Sequence, residues 1–574
     1  MKLYYTENNI TFTRDKNSFE YENFTIWFSG YFFINDSYYS HKEAAVLLCK
    51  WYLQNKLNNE IGTCNGIFTF LIIDEVANKL TIGTDRFGFI RLFFYKTEKY
   101  IRISNKYWEL AETEANSSVN NLAIAEFLLF RHVLQGNSLL KGFSDFDPAS
   151  LYTIATKNNE ISINQNTYWK LEYKPVNYSR DQTEKKIYNT LNSVFYKYKK
   201  NLFDNAKVGL NLTGGIDSRL LLTFLLRYKN RSDSIINFTF GTKNSDDIKI
   251  ASILSKSTNT KHSKALFNDP LFDFFEANTI DNILSQIGSH CYYFQGFGVT
   301  KLMPLHKEVD YLLTGADGFY FGHVAAEQLR NLKNHKELTN YIIKNNASIL
   351  DPGSIEQISS IDMSIYEDKI KNSILSSFSS EMSIISNYYN WLLRNRVRNY
   401  ILSIYEIQNT NCQLILPYYD YTFIDLMLSL PFEALLDQQG YINSICKNAF
   451  VKDYDYLKSV PIEKRFLKRS QDEFELVAKT PNLIQRALKK IFSLPDNEYA
   501  YNIYGTYKWH KREVMEMIDL LLQEKSRFLN KKRIQKMIKE KSGNEIFFRY
   551  ALPVILSVAR LEVKVARLKK IENE

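Results

Sequence analysis

Leu210-Asn211-Leu212-Thr213-Gly214-Gly215-Ile216-Asp217-Ser218-Arg219 is the stretch from which the fold is read. The apolar run 208–212 predicts a short buried strand, and 218–228 (SRLLLTFLLRY) predicts a strongly apolar helix. The two glycines therefore fall at a strand-to-helix turn. Such a turn leaves backbone N–H groups unpaired at a helix N-terminus, where the helix dipole favours an anion. Gly214 and Gly215 have no Cβ to keep a phosphate away, Thr213 and Ser218 add hydroxyls, and Asp217 supplies a carboxylate suited to Mg²⁺ on phosphate oxygens. The bland alternative is a tight turn with a helix cap. The flanking strand and helix, with Thr213, Asp217 and Ser218 in register, favour phosphate binding. No Gly-Lys-Ser/Thr follows at the spacing of a Walker A loop.

Outward from this loop the chain alternates strand and helix, which predicts a parallel sheet with crossover helices. A second strand is expected at 235–240, ended by Gly241, then a helix capped by Ser245 with Asp246 and Asp247 in its first turn. Tyr311-Leu312-Leu313-Thr314-Gly315 predicts another buried strand, followed by Ala316-Asp317-Gly318. Ligands of open parallel sheets sit beyond the carboxyl ends of the strands, so Thr314, Gly315 and Asp317 are candidates to face Thr213–Ser218. Gly296-Phe297-Gly298 lacks the third glycine of a dinucleotide fingerprint and is set aside.

Residues 1–170 read as a β-rich, sandwich-like domain. Strands are expected at 24–34, 65–74, 80–84, 92–95 and 100–104, with one helix from 40 to 55. Asp85, Arg86 and Gly88 read as a hairpin turn held by an Asp–Arg pair. A helix at 122–133, a strand within 145–156 and a linker at Pro175 lead to a long charged helix at 181–200. From about 320 the chain reads as helical, and the last hundred residues are amphipathic helices expected to pack on the preceding domain.

A chain of 574 residues calls for two or three domains, and 45% hydrophobic with 24% charged residues is the balance of a globular protein. The net charge of +10 is not gathered into a nucleic-acid-binding arm. Five scattered cysteines without a C-x-x-C pair indicate neither a disulfide framework nor a zinc site. The start, MKLYYTENNITF, has no apolar signal region, and no apolar run is long enough to span a bilayer, so a cytoplasmic location is expected.

The loop at 213–218 resembles the pyrophosphate-binding Ser-Gly-Gly-x-Asp-Ser loop of the N-type ATP pyrophosphatases, with Thr213 in place of the first serine. Asn65-Gly66-Ile67-Phe68-Thr69-Phe70, Asp74, Asp85-Arg86-Phe87-Gly88 and Leu92-Phe93-Phe94-Tyr95 resemble the glutamine amidotransferase domain of asparagine synthetases. Residues 240–251 resemble the segment that contacts adenine there, Thr260-Lys261-His262 the family's Gly-Thr-x-His, and Leu416-Pro417-Tyr418-Tyr419-Asp420 its Pro-Phe-Leu-Asp. His262 taken alone reads as a satisfied turn histidine. Residues 314–322 are about two residues shorter than the family's Ser-Gly-x-Gly-x-Asp-Glu and lack its glutamate.

The resemblance implies a multidomain α/β protein: an amidotransferase-like sandwich of the N-terminal nucleophile type (1–170), a parallel-sheet, adenine-nucleotide-hydrolase-like synthetase domain (176–475) and a C-terminal helical extension (476–574). It implies ATP held by Leu212, Thr213, Gly214, Gly215, Asp217, Ser218, Phe240, Gly241, Thr314 and Gly315, and Mg²⁺ held by Asp217 and Asp317. Asp217 and Lys464 are its catalytic candidates. Lys464 corresponds to the family's phosphate-contacting lysine, or else belongs to a basic loop with Lys458, Arg465, Lys468 and Arg469.

The implied reaction is adenylation of a small-molecule or peptide carboxylate and its capture by an amine or ammonia. Glutaminases of this family need an N-terminal cysteine, whereas Lys2 stands at position 2 and the first cysteine is Cys49. The front domain is therefore expected not to hydrolyse glutamine. A macrolactam (lasso-peptide) or β-lactam synthetase, an ammonia-dependent asparagine synthetase and a polysaccharide-precursor amidating enzyme all fit. A homodimer or a biosynthetic partner protein stays open, and no nucleic-acid partner is expected. tRNA-modifying or sulfur-transfer chemistry on the same loop, and a non-enzymatic scaffold, are the remaining alternatives.

Overall fold

A computed structural model describes residues 1–7, 9–114, 118–157, 160–228, 234–268, 270–288, 290–315, 322, 324–347, 350–449, 500–522 and 526–571. The strands of the front domain, in chain order, are β1 (Lys2–Thr6), β2 (Ile10–Thr13), β3 (Ser18–Tyr21), β4 (Phe24–Ile34), β5 (Ser37–Ser40), β6 (Asn65–Asp74), β7 (Lys79–Thr84), β8 (Phe93–Lys96), β9 (Tyr100–Ser104), β10 (Phe143–Asp145), β11 (Ser150–Lys157) and β12 (Glu160–Thr167). They form two antiparallel sheets. One runs β10-β8-β9-β1-β2; the other runs β12-β11-β7-β6-β4-β3, with β5 also paired to β4.

β4 and β6 pair from Phe24↔Asp74 to Phe33↔Asn65 and read as almost unbroken apolar runs. The reason is burial on both faces. Trp27, Tyr31, Phe33, Ile67 and Leu71 point into the main core, while Ile26, Phe28, Phe32, Phe68 and Phe70 pack with Ala44 and Leu48 of the helix His41–Leu53. β4, β6 and β9 have the expected boundaries. β1, β2, β3, β5, β10 and β12 were not expected, and β1 pairs both with the adjacent β2 and with β9, about a hundred residues away.

The turn after β7 departs from expectation. Asp85 does not pair with Arg86. Its buried carboxylate accepts backbone N–H bonds from Phe68 (3.0 Å), Phe87 (2.7 Å) and Gly88 (3.0 Å), and burial raises its pKa to about 7. Arg86 instead reaches Asp425 at 2.7 Å and lies over the ring of Tyr421 at 4.1 Å, tying the two domains together.

Residues 168–179 lie along the second domain, with the N–H groups of Lys174 and Val176 donating to the carbonyls of Leu428 and Ser429. The helix Arg180–Tyr198 then opens with a reciprocal cap between Ser179 and Gln182. Five parallel strands follow: β13 (Val208–Asn211), β14 (Ile235–Thr242), β15 (Lys261–Phe267), β16 (Tyr311–Thr314) and β17 (Gln413–Ile415), in the order β15-β14-β13-β16-β17. The helices Ile216–Tyr228 and Asp246–Ser257 are crossovers, and Ser245 caps the second by accepting the Ile248 N–H. The chain winds outward through β14 and β15, then returns to the other side of β13. The switch point between β13 and β16 is where ligands of such sheets bind.

The two domains share a buried charge cluster. Asp145 meets Arg91 at 2.6 Å and Arg398 at 3.0 Å, and Arg398 also donates to the carbonyls of Gly88 and Phe146. Burial pushes the Asp145 carboxyl up, but Arg398 and Arg91 prevail and hold it near a pKa of about 2. The C-terminal helices pack on the parallel-sheet domain as expected; Arg560 pairs with Asp281 through bonds of 2.8 and 2.6 Å. Among the described residues no helix is long and apolar enough to cross a membrane.

Candidate functional site

The loop 212–215 joins β13 to the helix Ile216–Tyr228 and closes on itself. The Thr213 N–H donates to Ser218 Oγ (3.1 Å), the Gly215 N–H to Thr213 Oγ1 (3.2 Å), and the Gly214 N–H to Asp247 Oδ1 (2.8 Å). These are the amides of the loop, ahead of the first residues of the helix Ile216–Tyr228. All three are satisfied internally, two by hydroxyls and one by a carboxylate from the next crossover helix. An oxyanion entering this loop would exchange partners with Thr213 and Asp247 rather than fill an empty nest. The sequence pointed to Asp247 only as a helix-start residue.

Thr314 lies opposite Asn211 in the β13–β16 register, and Gly315 follows it. A Cβ on Gly315 would lie 2.7 Å from the backbone N of Ser218 and 3.1 Å from the carbonyl carbon of Asp217. The end of β16 therefore touches the start of the helix Ile216–Tyr228, and only glycine permits that approach. Thr213–Ser218 and Thr314–Gly315 are brought together at the switch point.

Asp217 is oriented from a region where the sequence suggested no partner. Tyr441 donates to Asp217 Oδ1 at 2.8 Å, and Tyr418 donates to the Asp217 carbonyl at 3.0 Å, with the two phenol oxygens 2.8 Å apart. Burial, then the Asp217 charge, raises both phenol pKa values well above their ordinary value, so both remain protonated donors. Asp420, the last residue of the Pro-Phe-Leu-Asp-like stretch, serves the domain junction. It accepts from Lys197 Nζ (2.5 Å) and from Asn65 Nδ2 (3.0 Å) of the front domain.

Behind the loop, Thr239 donates to the Leu212 carbonyl at 2.7 Å, and its oxygen lies 2.9 Å from His262 Nε2. The Thr239 proton is committed to Leu212, so His262 carries its own proton on Nε2 and donates to Thr239. His262 Nδ1 is buried without a partner among the described residues. Burial, aided by Lys264, lowers the imidazole pKa to about 4. His262 lies inside β15, opposite Asn237, and is not a turn residue.

Phe240 and Gly241 close the end of β14. Phe240 packs on Phe267 and Tyr501, and the Thr242 N–H donates to the carbonyl of Ala500 at 3.0 Å. The Gly298 N–H donates to the Tyr501 hydroxyl at 3.1 Å, and a Cβ on Gly298 would collide with Phe240 and Tyr501. Residues 500–501 thus cover the position expected to meet adenine, a contact no local pattern signalled. Asp317, Lys464, the basic loop around it and the boundary at 475 lie outside the described residues.

Thr213 and Ser218 hydroxyls, small-residue backbone and one braced carboxylate form a donor set that suits a triphosphate carrying Mg²⁺. Mg²⁺ is commonly held by one or two carboxylates plus the phosphates it arrives with. Among the described residues no group of three or more His, Cys, Asp or Glu side chains is placed to hold a metal by itself.

Residues 34–169 match the family described as Glutamine amidotransferase domain, and residues 198–284 match Asparagine synthase. The chain is 25% identical over 291 residues to a protein called asparagine synthetase [glutamine-hydrolyzing] 1 of Methanocaldococcus jannaschii, covering 49% of each chain. It is 22% identical over 245 residues to an asparagine synthetase [glutamine-hydrolyzing] of Pongo abelii, covering 40% of each. The chain thus spans about half the length, at most, of these relatives. Among solved structures, a glutamine phosphoribosylpyrophosphate amidotransferase from B. subtilis aligns over 44% of this chain and 49% of its own, with a TM-score of 0.18 and 9% identity. A U34-tRNA thiolase from Methanococcus maripaludis aligns over 58% and 89%, with a TM-score of 0.17 and 12% identity. Scores this low add nothing to the assignment.

Proposed function

The chain belongs to the asparagine-synthetase-like family, with an amidotransferase-like domain ahead of its synthase domain, and on that footing we propose that it is an ATP-dependent amide-forming ligase. The observation that carries the reading is the braced Asp217 at the β13–β16 switch point, beside a hydroxyl-rich loop that Gly315 abuts. A substrate carboxylate attacks the α-phosphorus of ATP and expels pyrophosphate, giving an acyl-adenylate. An amine then attacks the acyl carbon and AMP departs. Mg²⁺ bound with ATP would supply charge neutralisation on the phosphate oxygens, with Asp217 and Asp317 as its protein ligands.

The chain's own part is alignment and charge stabilisation. Thr213 and Ser218 turn their hydroxyls from each other to the leaving pyrophosphate. The Gly214 N–H passes from the Asp247 carboxylate to a phosphate oxygen. Tyr441 holds Asp217 in one rotamer throughout. Leu212 and Thr314 border the nucleotide, Phe240 and Gly241 back it from beneath residues 500–501, and Lys464 meets the charge that develops on the leaving group. Neutral His262 supports the Leu212 carbonyl through Thr239 and does not act as a base.

The front domain, in this reading, makes no ammonia. Its two cysteines, Cys49 and Cys64, are buried, and burial raises the thiol pKa of Cys49 to about 12 and that of Cys64 further. A thiolate nucleophile is therefore not available from either. The decisive experiment is incubation with Mg-ATP and a panel of carboxylates, assaying AMP and pyrophosphate together. Equimolar, carboxylate-dependent release supports adenylation; ADP and phosphate as products would refute it.

A further inference from the structure

A cavity of about 420 Å³ opens between the front domain and the helical region, lined in part by Gln135, Asp147, Lys170, Asn390, Trp391 and Arg394. None of the proposed nucleotide-binding residues lines it. Hydrogen bonds between the domains fix its walls: the Gln135 N–H donates to Asn395 Oδ1 (2.7 Å), and Asn390 Nδ2 donates to the Leu171 carbonyl (2.6 Å). Asn395 Nδ2 in turn donates to the Trp391 carbonyl at 2.9 Å. The cavity is therefore built from both domains and held open by them.

Its charged side chains are Arg394, Lys170 and Asp147. Trp391 is 3% exposed and lines the cavity. Three residues on, along the continuous helical run Ile384–Leu392 and Leu393–Ile401, Arg394 forms neither an ion pair nor a hydrogen bond among the described residues. Burial lowers the guanidinium pKa, and Asp147 opposes that only through space. The Asp147 carboxylate is engaged elsewhere, accepting from Gln135 Nε2 at 2.6 Å and Gln165 Nε2 at 3.2 Å. Indole and guanidinium are donor-only groups, and Lys170 adds a second cation at the rim. Arg394 is half-buried, and an oxyanion in the cavity would give its guanidinium strong charge-assisted bonds. The size lies within the usual range of small-molecule sites.

We propose that this interdomain cavity binds a small organic anion bearing a carboxylate or a phosphate, with Arg394 as its charge partner and the Trp391 N–H as a second donor. The proposal is independent of the adenylation reading, because it uses none of the same residues.

The test is titration of the full chain with inorganic phosphate and, separately, with succinate, followed by tryptophan fluorescence and by melting temperature. Saturable binding of either anion at millimolar concentration supports the proposal, and which anion wins identifies the head group. Arg394→Gln should weaken that binding about tenfold or more, and Arg394→Lys should retain part of it. Trp391→Phe keeps the ring but removes the donor, and should weaken binding less. Without anion, Arg394→Gln should melt no lower than wild type, since it removes an unpaired cation and breaks no bond. Absence of saturable binding by both anions would overturn the site. Unchanged affinity in Arg394→Gln, or a clear loss of stability in that variant without anion, would do the same.

Discussion

The Tyr441 hydroxyl donates to Asp217 Oδ1 at 2.8 Å across 224 positions of sequence, which fixes the carboxylate at the head of the helix Ile216–Tyr228. A hydrogen bond to a charged group contributes about 1.5–3 kcal/mol. Tyr441→Phe should therefore lower ATP–pyrophosphate exchange about tenfold or more. Asp217→Asn, which removes the charge itself, should cost roughly 10²-fold or more. The ordering is the informative part: a Tyr441→Phe defect as deep as that of Asp217→Asn would mean the phenol does more than orient.

Gly315 offers a steric test of the same switch point. An alanine Cβ would lie 2.7 Å from the Ser218 backbone N, and no side-chain rotation relieves a clash with backbone. Gly315→Ala should push the start of the helix Ile216–Tyr228 off β16 and weaken nucleotide binding about tenfold or more, while far-ultraviolet circular dichroism stays native. Unaltered ATP affinity in the folded variant would remove this glycine from the site.

Much of this geometry was readable along the chain and some was not. The boundaries of β4, β6, β9 and β16, and the Ser245 cap, follow from local apolar runs and turn residues that report only their own neighbourhood. The sequence-level expectation for the Pro-Phe-Leu-Asp-like stretch did not separate Tyr418, which reaches Asp217, from Asp420, which reaches Asn65 and Lys197. Asp247 accepting from Gly214, Tyr501 packing on Phe240, and β1 pairing with β9 join positions that no periodicity connects. The Asp85–Arg86 pair failed for a related reason. Three backbone donors converge on the buried Asp85 carboxylate, and the arginine finds its partner in another domain.

Asp420 and Lys197 predict a stability effect at the domain junction. Both side chains are buried, with relative exposures of 0% and 7%, and Asp420 also accepts from Asn65. Asp420→Asn leaves a buried ammonium without its counter-charge and should destabilise the protein by about 3–5 kcal/mol in denaturant unfolding. Replacing both partners with apolar residues, Asp420→Leu with Lys197→Met, should recover much of that loss. A double variant no more stable than Asp420→Asn would show that the bonds of Asp420 to Asn65 and to the Thr422 N–H, and not the ion pair, dominate.

His262 sets a pH window. Its folded pKa of about 4 lies below the ordinary histidine value of 6.5, because burial and Lys264 disfavour the charged ring. The unfolded chain therefore takes up the proton first as pH falls. The contribution of His262 to stability is full above pH 6.5, declines as pH drops toward 4, and levels off below it. Nuclear magnetic resonance of the imidazole should show a neutral, Nε2-protonated ring from pH 5.5 to 8. His262→Gln should reduce the slope of stability against pH across that window. A ring titrating near 6.5 would refute the buried arrangement with Thr239.

The source of the amine is the sharpest remaining division among amide-forming reactions. Cys49 and Cys64 are the cysteines of the front domain, and both are buried with thiols held protonated, so glutamine should yield no glutamate above a blank. In the proposed reaction the nucleophile would then be either ammonia from solution or an amine on an organic substrate. At neutral pH most ammonia is ammonium, which has no lone pair to attack with. A substrate amine bound beside the acyl-adenylate has a large advantage, since effective molarities of well-oriented partners reach about 10⁵ M or more. The expected product is therefore a lactam or a substituted amide. Mass spectrometry of a reaction run with ¹⁵N-ammonium decides it: the label should be missing from the product. A primary amide carrying ¹⁵N would overturn that expectation and place the enzyme with simple ammonia-dependent synthetases, leaving the roles of Asp217 and Tyr441 untouched.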